Sequence, residues 1–255
     1  MGPVGSAASV PRLLAALWSD TLDGEGVARL VSAEPNLTMR ILRVANSAYY
    51  GLSGTVSSVK RAVLILGHEA VRGIAAAGCL GRTIPSSGTA TMGGGRLLRH
   101  SIAAAVTAQA LAEAVRLDRA GDAFIAGLLH DIGVAVQTHH EGADPQERHV
   151  LEELPHAAIG AVLIQAWNLP PWLEAVTLHH GAPLEAPPEL RRLSAIVSLA
   201  DVLASGRGFD HPFERHEADA EAMAEVARVP AAVIERVMRE IPARANELYG
   251  ALSRT

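Results

Sequence analysis

The side chains in this chain that could do chemistry are of the types that bind metal ions. His130 and Asp131 stand side by side at the end of an apolar run that begins at Ala123, and Gly133 follows as a predicted helix terminator. Five more His and Asp residues in the same half of the chain occupy positions where core residues are expected. The full set is His100, His130, Asp131, His156, His179, His180 and Asp201.

Most of these residues fall on the apolar stripe of a predicted helix. A helix buries residues spaced by three, four and seven positions. His100, for example, is in line with Leu97 and Ala104. The same spacing places three further sets on the buried faces of their predicted helices: His156, the pair His179 and His180, and Asp201.

Any one of these histidines could be an ordinary core residue bound to a backbone carbonyl, but the set favours a metal. Burying ionised Asp131 or Asp201 without a cation costs several kcal/mol. The only lysine, Lys60, lies outside this half of the chain. Nitrogen and oxygen ligands without a thiolate suit Fe, Mn, Zn, Co or Mg. We therefore expect a divalent metal centre.

Composition narrows the class of protein. The chain has 255 residues, enough for one large domain or two helical lobes. Its apolar stretches are shorter than the roughly 20 residues that span a bilayer, and no leader segment is recognisable, so we expect a cytoplasmic protein without membrane contact. A net charge of −5 gives no basic field for nucleic acid. The single cysteine, Cys79, excludes an internal disulfide.

The spacing of apolar residues predicts an all-α fold. A Gly-, Ser- and Thr-rich stretch at 83–95 predicts a linker between an N-terminal helical lobe, 1–82, and a metal-site lobe, 96–205. Residues 206–255 are predicted to form a C-terminal helical extension suited to packing or to a homodimer contact. The helices predicted before this extension are 13–18, 26–32, 37–46, 59–80, 96–116, 120–132, 155–167, 171–180 and 190–205.

At these residues the chain resembles the HD superfamily of metal-dependent phosphohydrolases, whose pattern is a His, an adjacent His-Asp pair and a distal Asp. His100, His130, Asp131 and Asp201 match that pattern in order. The resemblance implies one or two ions, with Asp131 bridging them and serving as the candidate catalytic residue. It also implies that the second ion is bound by His156 and by either His179 or His180.

A narrower resemblance, which covers nearly the whole chain to about residue 205, is to the HDOD family of bacterial signalling output domains. It includes Gly127-Leu-Leu-His-Asp-Ile-Gly133 and Trp167-Asn-Leu-Pro170 in the second lobe. In the first lobe it includes residues 30–51, 56–59 and 62–67. It implies a two-lobed helical fold with an HD-type bundle as the second lobe.

The resemblance leaves two functions open. The first is a signalling module that binds a protein partner or a small phosphorylated ligand, and the second is a metal-dependent phosphohydrolase acting on a nucleotide or phosphate ester. The related cyclic-di-GMP phosphodiesterases carry a lysine where this chain has Val134, and a Gly-Tyr-Pro signature that is missing after His180. The loss of a phosphate-binding cation disfavours that substrate.

A second group of residues could form a ligand or partner surface in the N-terminal lobe. The alternative is that its tyrosines pack the lobes together and that its arginines are solvated. The group is Arg40, Arg43, Tyr49, Tyr50 and Lys60.

Overall fold

The regular structure of this chain is helical throughout the described residues, which confirms the predicted all-α class. The structure is a computed structural model, and it describes residues 9–19, 21–52, 54–83, 90–118, 120–137, 149, 151, 153–209 and 219–253. No helix in these ranges is both long enough and apolar enough to cross a membrane.

The N-terminal helices are α1 (Ser9–Leu17), α2 (Gly24–Ser32), α3 (Pro35–Ala45) and α4 (Val59–Thr83). The helices that follow are α5 (Ala90–Ala114), α6 (Ala120–Leu129), α7 (Ile132–Gln137), α8 (His156–Ala166), α9 (Pro171–His179), α10 (Arg191–Ser205), α11 (Ala220–Ala227) and α12 (Ala231–Ser253). Short 3-10 helices span Ala48–Tyr50 and Pro183–Glu185.

The N-terminal helices are held by local capping and by side-chain hydrogen bonds that join neighbouring elements. Asp23 caps α2, because its Oδ1 accepts a hydrogen bond from Gly26 N at 2.7 Å. The amide of Asn46 joins the end of α3 to Val56, donating to Val56 O at 2.8 Å and accepting from Val56 N at 2.7 Å. α4 breaks at Gly67, whose φ of 76° lies in the left-handed region that favours glycine.

Helix α5 forms the centre of the second half of the molecule, where it packs against α6, α10 and α12. Alanines 103, 104 and 105 are all fully buried, so neighbours can approach this helix from several sides. A Cβ at Gly127 would lie 2.9 Å from Ala104 O, so glycine is what allows α6 to cross so close to α5. This packing brings His100 on α5 next to the end of α6.

The predicted linker at 83–95 is only partly described. Residues 84–89 lie outside the described residues, and residues 90–95 belong to α5. The division of the chain into lobes at these positions therefore stays a prediction, as do the bounds of the C-terminal extension.

Candidate metal centre

The adjacent His130 and Asp131 occupy a turn between two helices. A single helix over 120–132 was expected, but α6 ends at Leu129 and α7 begins at Ile132. The turn points both side chains inward, and both are at most 1% exposed.

The sequence suggested that Gly133 ends a helix, but this residue lies inside α7. Its role is close approach, because a Cβ there would overlap the backbone oxygen of His156 and would lie 2.8 Å from Gly160 N. The missing side chain lets α7 pack directly on the start of α8. That contact brings His156, the first residue of α8, to the centre.

Six of the seven predicted ligands converge on one buried point, from five separate parts of the chain. Their side chains are 0–3% exposed, except that of His156 at 10%. They are His100 on α5, His130 and Asp131 in the turn after α6, His156 on α8, His180 after α9, and Asp201 on α10.

One side of the centre is formed by two histidines and two carboxylates. His100 Nε2 lies 3.0 Å from Asp201 Oδ1 and 3.5 Å from Asp131 Oδ2. His130 Nε2 lies 3.0 Å from Asp131 Oδ2 and 3.9 Å from Asp201 Oδ1. This is a compact set of nitrogen and oxygen donors.

The other side of the centre uses the second oxygen of Asp131. Asp131 Oδ1 lies 3.3 Å from His156 Nε2 and 3.5 Å from His180 Nε2. The two imidazole nitrogens are 3.1 Å apart. Asp131 thus presents one oxygen to each pair of histidines, which is the arrangement expected of a carboxylate shared by two ions.

Backbone carbonyls orient three of the imidazoles. Each carbonyl accepts a hydrogen bond from Nδ1, so the proton sits on that nitrogen and Nε2 is the atom turned to the centre. The pairs are His100 with Phe209 at 2.7 Å, His130 with Gly127 at 2.8 Å and His180 with Thr177 at 2.7 Å.

The donor atoms fit a metal ion. His130 Nε2 is fully buried and makes no hydrogen bond within the described part of the chain, although a carboxylate oxygen lies 3.0 Å away. A buried polar atom without such a bond is costly unless another partner binds it. Two overlapping trios have ligand atoms within 4.8 Å of one another: His100, His130 and Asp201, and His130, Asp131 and His180.

The two carboxylates favour positively charged groups in the centre. Burial lowers the pKa of His100, but the hydrogen bond to Asp201 and the charges of Asp131 and Asp201 outweigh it and raise that pKa to about 9. Burial likewise opposes the charged form of His180, yet its hydrogen bond to Asp131 raises its pKa. Burial raises the pKa of Asp201, but the hydrogen bond from His100 brings the balance below the usual value. Protonated imidazoles or a divalent ion can supply this charge.

His179, the remaining candidate, is partly buried, and among the described residues no ion pair joins it to Asp131 or Asp201, whereas His156 Nε2 lies 3.3 Å from Asp131 Oδ1. Between the two adjacent histidines, the structure brings His180 to the centre. Sequence reasoning missed the carbonyl groups of Gly127 and Thr177, although each lies three residues before the histidine that it orients. It also missed Phe209, which is 109 residues from His100 and carries no sequence signal.

The second group of predicted residues lies on three elements: α3, the 3-10 helix Ala48–Tyr50 and the start of α4. Arg40 and Arg43 are partly buried on α3, and Tyr50 packs against the core. Tyr49 lies in the 3-10 helix Ala48–Tyr50. Lys60 is exposed, with Nζ 3.7 Å from Glu25 Oε1. A ligand or partner surface there stays a prediction.

Comparison with known proteins identifies the family. The HDOD domain matches residues 7–183. The chain belongs to the HDOD family. Among solved structures, an HDOD protein of unknown function from Geobacter sulfurreducens has a TM-score of 0.71 and 20% identity, covering 99% of this chain and 93% of that one.

Two other solved structures share the HDOD fold. A protein from Marinobacter aquaeolei, provisionally described as a signal transduction protein, has a TM-score of 0.72 at 20% identity, covering 100% of this chain and 60% of that one. One from Shewanella amazonensis, provisionally described as a metal-dependent phosphohydrolase, has a TM-score of 0.66 at 17% identity, covering 95% and 92%. At these identities the likeness shows the fold.

The curated relatives are longer proteins. An uncharacterised protein of Treponema pallidum is 29% identical over 210 residues, which cover 74% of this HDOD chain and 39% of the relative. Ribonuclease Y of Clostridium perfringens is 34% identical over 116 residues, which cover 45% of this chain and 19% of the enzyme. This chain therefore spans well under half the length of either relative.

Proposed function

We propose that this chain is a regulatory HDOD module that holds one or two divalent ions in a buried centre and acts by binding a protein or a small phosphorylated ligand. The observation that carries the proposal is the burial of the centre. The most accessible of the six converging side chains, His156, is only 10% exposed. A substrate must reach a catalytic ion, and side chains this deeply buried leave little room for one.

The ligand set divides naturally between two ions. His100, His130 and Asp201 would hold the first, and His156 and His180 the second. Asp131 would contribute one oxygen to each. Fe, Mn, Zn, Co and Mg all suit these donors.

Ion binding would fasten together distant parts of the chain. The ligands come from α5, the turn before α7, α8, the end of α9, and α10. Since metal binding couples to folding, occupancy would set how firmly these segments are joined. A partner that contacts these segments would then bind the metal-loaded and the metal-free forms with different affinities. The fold shared with the Marinobacter protein, provisionally described as a signal transduction protein, supports this role.

A metal-dependent phosphohydrolase is the second candidate. The observation that favours it is that the two carboxylate oxygens of Asp131 face different pairs of histidines. Phosphoryl-transfer enzymes use two ions sharing such a ligand, and a bound ion supplies charge stabilisation and an acidified water. The similarity to ribonuclease Y and to the Shewanella protein points to phosphate esters. In this candidate, His156 lies at the most exposed edge of the centre, where a phosphate would approach. Val134, at the position where the related cyclic-di-GMP phosphodiesterases carry a lysine, supplies no cation for a phosphate.

A turnover assay separates the two candidates. Wild type and Asp131→Asn, both reconstituted with Mn²⁺, Fe²⁺ or Zn²⁺, are incubated with bis-p-nitrophenyl phosphate, p-nitrophenyl phosphate and a short RNA. The regulatory proposal predicts that the two proteins give the same background rate. Metal-dependent turnover in the wild type that is lost in Asp131→Asn would overturn it in favour of the enzyme.

Hydrogen exchange tests the regulatory proposal directly. We expect ion binding to slow amide exchange in α5, α7, α8, α9 and α10, and to leave α2 and α3 unchanged. Ion binding without protection of those segments would contradict a role in fastening them.

A further inference from the structure

A cleft of about 440 Å³ lies between α5 and α12, outside the metal centre. The described residues that line it are Gly95, Arg96, Arg99, Asn246 and Tyr249. The two arginines are three residues apart on α5, and the asparagine and tyrosine are three apart on α12. Since residues at that spacing are neighbours on a helix surface, each helix contributes one adjacent pair.

The cleft is chemically suited to an anion. None of the described residues that line it is acidic, although the chain as a whole carries a net charge of −5. Arg96 and Arg99 are both exposed, and guanidinium groups match phosphate oxygens in pairs. The Tyr249 hydroxyl adds a neutral donor.

Arg99 is held in place for such a role. Its Nη2 donates to Asn246 Oδ1 at 2.8 Å, and its guanidinium carbon lies 5.0 Å from the centre of the Phe209 ring. These contacts fix the side chain while its other N–H groups stay available for a ligand. Orientation before binding reduces the entropy lost on binding.

We propose that this cleft binds the phosphate group of a small molecule through Arg96, Arg99 and the Tyr249 hydroxyl. The ligand is inorganic phosphate or a nucleoside monophosphate, which share this recognition chemistry.

Phe209 connects the cleft to the metal centre. Its ring lies under Arg99, and its carbonyl accepts the hydrogen bond from His100 Nδ1 at 2.7 Å. A phosphate bound to Arg99 therefore lies one contact away from the residue that orients a predicted metal ligand. This link rests on the proposed function, whereas phosphate binding in the cleft does not. By linkage, phosphate affinity should differ between metal-loaded and metal-free protein.

Isothermal titration calorimetry of the full chain with inorganic phosphate and with AMP tests the proposal. We expect Arg96→Gln and Arg99→Gln each to weaken binding by roughly tenfold or more, since each removes charge-assisted hydrogen bonds. Arg236→Gln is the matched control: it removes the same charge from an exposed position on α12, ten residues before Asn246. Circular dichroism verifies that each variant is folded.

Comparison of the affinities for AMP and inorganic phosphate identifies the source of the phosphate group. If AMP binds more tightly and Tyr249→Ala removes the difference, the ring stacks on the base and the ligand is a nucleotide. Equal affinities for AMP and phosphate identify the free anion.

Metal removal distinguishes failure of this proposal from failure of the proposed function. Phosphate binding that survives Arg99→Gln but disappears after chelation would place the anion at the metal centre and overturn the cleft. Absence of binding to the wild type would also overturn it. Binding that depends on Arg99 in a protein that takes up no metal would support the cleft and contradict the metal proposal. Equal phosphate affinities with and without metal would overturn the Phe209 link.

Discussion

The helices α1–α4 and the helices α5–α10 both pack through apolar side chains, but they differ in what else they bury. In the N-terminal helices the buried residues are apolar, for example Ile41, Val44 and Val71. Among the residues whose burial is described, every buried polar or charged side chain lies between His100 and Asp201. In the first region the partly buried charges of Glu69 and Arg72 pair with each other at 2.7 Å, whereas the second region buries the carboxylates of Asp131 and Asp201 among histidines. The difference points to the second region as the functional one.

The largest effect is expected where the second region depends on close backbone contact. Gly133→Ala should destabilise the protein by on the order of 3 kcal/mol, because the new Cβ overlaps the backbone oxygen of His156. Gly54→Ala in the first region is the control, since nothing lies within 4 Å of a Cβ there. Urea denaturation of both variants measures the difference. Equal stabilities would show that α7 and α8 do not pack as described.

Metal removal should destabilise the protein through the second region, independently of changes in the first. We expect chelation to lower the free energy of unfolding by about 3 kcal/mol if the ion is present at 100 times its dissociation constant. Ile41→Val in the first region should cost about 1 kcal/mol in both metal-loaded and metal-free protein, because the sites are independent. Denaturation with and without chelator gives the four values. If Ile41→Val lowers the free energy of unfolding by different amounts in the metal-loaded and metal-free proteins, the two regions are not independent.

A smaller effect should appear in the pH dependence of the metal-free protein. The pKa of His100 is about 9 in the folded state and about 6.5 in the unfolded state, so its stabilising contribution is complete below pH 6.5 and is lost as pH rises through 9. We expect a loss of at least about 1 kcal/mol between pH 6.5 and 9. Asp201, whose pKa is lowered, contributes above its unfolded value and loses that contribution as pH falls.

The metal-loaded protein should show the opposite trend over the same range, since protons compete less with the ion as pH rises. The separation between the melting temperatures of the two forms should therefore grow from pH 6.5 to 9. A constant separation would show that His100 does not exchange a proton for the ion.

The fold and most of the centre were predictable because both depend on local patterns. Apolar spacing predicted the helices, and the stripe positions of His100, His156 and Asp201 predicted their burial, which the structure bears out. The choice between His179 and His180 could not be made, because both lie at the end of α9 and its exact exit decides which one turns inward. Gly133 looked like a terminator because its contact with α8 is formed by a residue 23 positions away.

The long-range contacts left no trace in the sequence. Phe209 reaches His100 through a backbone carbonyl, a group that every residue carries. Arg99 and Asn246 are 147 residues apart, and only the packing of α12 on α5 brings them together. Local spacing carries no information about such pairs.

Metal content of the untreated, tag-free protein tests the central claim most directly. Inductively coupled plasma mass spectrometry should find one or two equivalents of Fe, Mn or Zn in the wild type. His179→Ala should retain them, and Asp131→Asn should lose them, because only Asp131 is shared by both pairs of histidines. Absence of metal from the wild type even after reconstitution, or undiminished metal in Asp131→Asn, would contradict the account.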